Sequence, residues 1–117
     1  NSWANATVGI MATRGARVSG AIARLLPATH KAVLLEDRDE EKLMQFIYGE
    51  AKTCGRGRDI SALTDLANLL RQRGCQVIIA GCTEVEMCLA RHATEQDGFI
   101  FPLRVVAQSF AATWSKR

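Results

Sequence analysis

The stretch Val77-Ile78-Ile79-Ala80-Gly81-Cys82-Thr83-Glu84-Val85-Glu86 constrains this chain more than any other. It opens as a short, β-branched, uninterrupted apolar run behind the helix-stopping Gly74, the pattern of a parallel strand buried on both faces. Gly81 ends the strand. Thr83 and Glu86 stand at the spacing of a capping box, in which the Thr side chain satisfies one orphan backbone N–H and the Glu reaches back to another. A helix is therefore expected from this point, with Cys82 just ahead of its N-terminus. The partial positive charge at a helix start favours thiolate over thiol, which suits a cysteine that must give and take protons near neutral pH. The competing reading is a packed, inert cysteine, the commoner fate of the residue type.

The rest of the chain supplies the frame for this junction. Val8-Gly9-Ile10-Met11-Ala12 reads as a first strand, apolar on both faces as a central parallel strand is. Thr13 to Ser19 forms the turn out of it, where Gly15 and Gly20 let the backbone approach a ligand and the next helix start offers N–H donors to a carboxylate. Thr13 and Arg14 are the anion-binding candidates; alternatively Thr13 caps the helix and Arg14 is solvated. That helix, through Ile22, Leu25 and Leu26, stops at Pro27. Lys31-Ala32-Val33-Leu34-Leu35 makes a second strand. Asp37 or Asp39 can cap the helix after it, whose apolar stripe is Leu43, Met44, Ile47 and Tyr48. Arg56-Gly57-Arg58 reads as a solvated basic link. A further helix shows Leu63, Leu66, Ala67 and Leu70 on one face and ends at Arg71, Arg73 and Gly74. Gly98 to Leu103 gives a fourth strand, and Val105 to Trp114 a closing helix whose Phe110 and Trp114 share a face that needs a partner surface.

Strands alternating with helices imply a parallel sheet covered on both sides. The expected fold class is α/β, a three-layer Rossmann/flavodoxin-like single domain over residues 1–117, with a four-stranded parallel sheet in the order 2-1-3-4. In that order the connections leave the first and third strands in opposite directions, and ligands bind between their carboxyl ends. Cys82 and Thr13 both fall at that crevice.

Composition narrows the function classes. The formal net charge is +3, and the basic residues are scattered rather than gathered in an aromatic-laced stripe, which argues against nucleic-acid binding. No apolar run reaches the ~18 residues that would span a bilayer, so a soluble protein with no membrane association is expected. The 4 cysteines, Cys54, Cys75, Cys82 and Cys88, show neither a disulfide pattern nor the paired spacing of a zinc site. His30 and His92 lie far apart with no partner cysteine at ligand spacing. A cytoplasmic protein without a metal is expected.

Gly81-Cys82-Thr83-Glu84 after a strand resembles the second cysteine motif of the aspartate/glutamate racemase superfamily. Ala12-Thr13-Arg14-Gly15 after the first strand is similar to that family's Gly-Thr-Arg turn, and Ile47-Tyr48-Gly49-Glu50-Ala51-Lys52 with Gly55 resembles its middle helix. The chain looks like the C-terminal half of enzymes built from two facing α/β halves, each supplying one catalytic cysteine. The resemblance implies proton transfer at the Cα of an amino acid or related carboxylic acid without a cofactor. Cys82 would be one acid/base group, and Thr13, Arg14, Thr83 and Glu84 would hold the substrate. The partner would be a missing N-terminal half or a second copy; the alternative is an incomplete half-domain that only binds a carboxylate or serves a structural role. The chain departs from the family pattern at Ala16, at Glu86, where a small residue or proline is usual, and at Arg104-Val105, which leaves the substrate class open.

Overall fold

In the computed structural model, the structure describes residues 6–13, 20, 24, 29–49, 60–93 and 95–115, with the backbone alone at 95, 114 and 115. Strands β1 (Thr7–Met11), β2 (Lys31–Leu34), β3 (Val77–Ala80) and β4 (Phe99–Ile100) form one sheet in the order β2-β1-β3-β4. All three pairings are parallel, with Gly9 opposite Val33 on one side and Ile78 on the other. The α/β class, the parallel sheet and its order are those expected from the pattern of strands and helices. The described helices are α1 (Asp37–Gly49), α2 (Ser61–Gln72), α3 (Thr83–Leu89) and α4 (Pro102–Ser115). A short 3-10 turn, Glu95–Asp97, precedes β4.

The apolar run of β3 is buried along its whole length, and the alternation of side chains across the sheet divides it between two clusters. Ile78 and Ala80 join Leu43, Phe46, Leu66 and Leu70 beneath α1 and α2, while Val77 and Ile79 join Ala6 and Val8 on the other face. Burial of each large side chain stabilises the fold by roughly 1.5–3 kcal/mol, which makes β3 the strand the rest is assembled on. Gly9 lies beside it for a steric reason: a Cβ there would stand 3.1 Å from Cys75 Sγ and 3.1 Å from Leu70 Cδ1. The α2 face of Leu63, Leu66, Ala67 and Leu70 is buried as its spacing predicts.

Three local expectations are corrected. Tyr48 is 68% exposed and Phe46 takes its place in the core, because α1 is rotated so that Leu43, Phe46 and Ile47 meet α2. The fourth strand is shorter than expected, since Pro102, a favoured first helical residue, starts α4 immediately after Phe101. Cys75 and Cys82 are free thiols, but Cys88, wholly buried in α3, is disulfide-bonded, because spacing along the chain does not report which sulfurs the fold brings together. Arg14, the helix expected through Ile22 to Leu26, Cys54 and Arg56 to Arg58 lie outside the described residues, apart from Arg24. Among the described residues no helix is long and apolar enough to cross a membrane.

Polar side chains tie the elements together. Arg73, just past α2, pairs with Glu36 and with the buried Asp39 at the start of α1, the latter at 3.2 Å. Arg71 lies 5.1 Å from the Phe99 ring centroid and donates to the Asp97 carbonyl at 2.8 Å, which fixes the approach to β4.

Candidate functional site

The candidate site is the carboxyl edge of the two central strands. Met11 pairs with Ala80 in register, and the Gly81 N–H donates to the Met11 carbonyl at 2.8 Å, so the chain leaves β1 and β3 side by side. Thr13 stands two residues beyond the end of β1, and Cys82 two residues beyond the end of β3. This is the topological switch point, where ligands of open α/β sheets bind. Thr13 and Cys82 are half-buried, while Thr83 and Glu84 are exposed on the first turn of α3.

Cys82 is the N-cap residue of α3, with extended φ −140° and ψ 141°, as the strand-to-helix junction predicts. Two details differ from the expectation. No capping box forms: Cys82 and not Thr83 is the N-cap, it makes no side-chain capping bond, Thr83 is already the first helical residue, and Glu86 turns away from its own helix start. Its carboxylate, 6% exposed, accepts the Leu103 N–H on Oε1 and the Arg104 N–H on Oε2, both at 2.8 Å. Glu86 thus caps α4, and its negative charge sits against the positive end of that helix. The resemblance had singled out this position as a departure, and α4 supplies its structural reason.

The second difference is electrostatic. Cys82 Sγ donates a hydrogen bond to Glu84 Oε2 at 3.0 Å. Burial pushes the Cys82 thiol above its ordinary value, and the Glu84 carboxylate adds to the rise by holding the proton in a hydrogen bond and by its charge. The Glu84 and Val85 amides pull the other way without meeting the geometry of a capping bond, and they are outweighed. The expected thiolate is therefore a thiol near neutral pH, because burial and the Glu84 carboxylate outweigh the amides at the start of α3. The same contact with Cys82 lowers the Glu84 carboxyl below its ordinary value.

The fold brings Thr13, Cys82, Thr83 and Glu84 to one edge. Glu84 contacts the sulfur itself, a role that residue type and spacing did not reveal. Among the described residues no group of three or more His, Cys, Asp or Glu is arranged to hold a metal ion. A cavity of about 1040 Å³ opens beside α1 and α2 between Asp39, Lys42, Phe46, Asp65 and Arg73, and includes no residue of the Cys82 edge. No protein-family model matches the chain.

Proposed function

We propose that this chain is an aspartate/glutamate-racemase-like domain, in which Cys82 transfers a proton at the Cα of an amino acid or related carboxylic acid without a cofactor. The observation that carries the reading is a free, half-buried thiol at the switch point of a parallel sheet, hydrogen-bonded to the carboxylate two residues on. General acid–base catalysis needs a protonated group within reach of the reacting carbon, and a thiol stripped of part of its water and stabilised by Glu84 holds its proton ready. Thr13, Arg14 and Thr83 would bind the carboxylate, and Glu84 would face the substrate amino group while orienting the thiol. Inversion needs a second acid/base group on the opposite face of the carbon, from a further half or a second copy. A thiol that must stay free to work suits a reducing compartment, so the same reading proposes the cytoplasm, while the disulfide at Cys88 counts against it.

The second reading is a catalytically incomplete half-domain that binds carboxylates; the raised thiol pKa favours it, since a working base would be ionised more readily. NMR in heavy water separates the two. Deuterium entering Cα of aspartate or glutamate, and falling about 10²-fold or more in Cys82→Ser, is the outcome of acid–base catalysis. Ligand-induced shifts at residues 12, 13 and 81–84 without exchange would support carboxylate binding alone. Exchange unchanged in Cys82→Ser, or neither exchange nor shifts, would overturn the proposal.

A further inference from the structure

Helix α3 is too short to hold its own shape. It has 7 residues, and helices below roughly 12 residues depend on tertiary anchors. Its anchors are the wholly buried Val85, Cys88 and Leu89, which join the core cluster of Ile78 and Ala80, and Glu86, whose carboxylate holds α4. One anchor is covalent, since Cys88 is disulfide-bonded. The sequence has 4 cysteines, and Cys75 and Cys82 are free thiols, so the sulfur joined to Cys88 within the chain is that of Cys54. At 0% exposure, Cys88 is out of reach of a second copy.

From this we infer that the Cys54–Cys88 disulfide is a redox control on the Cys82 edge. Closed, it holds α3 on the core with Cys82 half-buried at the N-cap. Opened, it frees α3 and exposes Cys82 to solvent. The step balances with a dithiol as reductant: its thiolate attacks one sulfur of the bond, its second thiolate displaces the other, and the reductant leaves as a disulfide. Two electrons and two protons pass to the protein, and Cys54 and Cys88 become thiols. Exchange with a small disulfide such as oxidised glutathione, which leaves as two thiols, closes the bond again.

Two features make the bond a control on this edge rather than a remote staple. It closes residues 54–88 into one loop that contains α2, β3 and nearly all of α3, so opening it returns freedom to the stretch that carries the site. Cys82 also responds to where α3 sits, because the burial of its sulfur and its hydrogen bond to Glu84 are both set by the first turn of that helix. Freeing α3 hydrates the sulfur and eases its ionisation, and both quicken its reactions. Because Cys88 is wholly buried, a reductant reaches the bond only as α3 opens, so the control answers a sustained change of redox state and not a brief one. The inference does not depend on the reaction assigned to Cys82.

Peptide mapping and alkylation of the full chain test this. In the air-oxidised chain, mass spectrometry without reductant should find Cys54 and Cys88 in one cross-linked peptide, with Cys75 and Cys82 as thiols. Iodoacetamide alkylation at pH 8, followed at each cysteine by mass, then reads the coupling. Opening the bond with dithiothreitol, or by Cys54→Ala, which leaves α3 itself unaltered, should speed alkylation of Cys82 about threefold or more with circular dichroism retained. Either treatment should lower Tm by about 10 °C. Cys75, buried in the core, reports on the fold as a whole and should quicken less than Cys82. A cross-link that includes Cys75 or Cys82, or none at all, would overturn the inference, as would a Cys82 rate that is the same in the closed and open chains. An equal rise at Cys75 would also overturn it, since the whole fold and not α3 would then have loosened.

Discussion

Replacing Glu86 tests the link between the site helix and α4. Its two carboxylate oxygens accept the N–H groups of Leu103 and Arg104 at 2.8 Å, in a position only 6% exposed. Hydrogen bonds to a charged group contribute about 1.5–3 kcal/mol each, part of which is offset by the cost of taking the carboxylate out of water. In Glu86→Ala both donors lose their acceptor, and the side chain leaves a void between α3 and α4. The expected loss is about 2–3 kcal/mol, or roughly 10 °C in Tm for a chain of this length. Glu86→Gln keeps one acceptor but turns an amide N–H toward a backbone donor, so it should fall between, near 1–2 kcal/mol. Thr83→Ala is the matched control. In a capping box it would cost about 1 kcal/mol, but with no side-chain cap at the start of α3 it should cost less than about 0.5 kcal/mol. Thermal melts of the three variants followed by circular dichroism decide the matter. A Glu86→Ala melt within 2 °C of wild type, or a Thr83→Ala loss as large as that of Glu86→Ala, would refute the assignment of Glu86 to α4.

Two further outcomes are expected. Gly9→Ala should destabilise by about 1–3 kcal/mol in denaturant unfolding, since the new methyl would stand 3.1 Å from the buried Leu70 and Cys75 side chains; a neutral result would mean that these neighbours shift to admit it. Glu84→Gln should speed alkylation of Cys82 by iodoacetamide about two- to fivefold at pH 8, because it removes the charge that holds the thiol protonated and a solvent-screened pair contributes only up to about 1 kcal/mol; slower alkylation would reverse the sign of the coupling.

The sheet was legible in the sequence because the signals that specify it are local. A β-branched run bounded by glycines, as at Val77 to Ala80, is buried wherever it pairs, and alternation with helices leaves few orders for a parallel sheet. Gly81 and Cys82 were placed correctly for the same reason. Glu86 was not, because Thr83-x-x-Glu86 describes a local pairing, and the long-range alternative, two unsatisfied donors of α4 brought close by the turn after β4, has no signature near Glu86 in the chain. The ionisation of Cys82 was misjudged on similar grounds. A helix start speaks for thiolate, but the burial of the sulfur and the hydrogen bond and charge of Glu84 decide the balance, and neither can be read from residue spacing. In α1, Tyr48 and Phe46 both satisfy the apolar pattern, and only the position of α2 selects between them.

Under the racemase-like reading, the raised pKa of Cys82 gives its site the donor half of the reaction and makes it a reluctant base. Abstraction of the Cα proton requires thiolate, whose fraction grows tenfold per pH unit while the pH stays below the pKa of the folded thiol. Burial and Glu84 move that value upward from 9.0, so Cα exchange by a single Cys82 should climb through neutral pH and keep climbing beyond pH 9, where an unperturbed thiol would already level off. The same shift has a sign for stability. The unfolded chain loses the Cys82 proton first, so the contribution from this group is whole below pH 9.0 and declines as the pH rises through the folded value. Glu84→Gln should bring the plateau of the exchange profile to lower pH. A profile that is flat from pH 7 upward in the wild type would mean that the proton is taken by another group, and would leave Cys82 as the donor only.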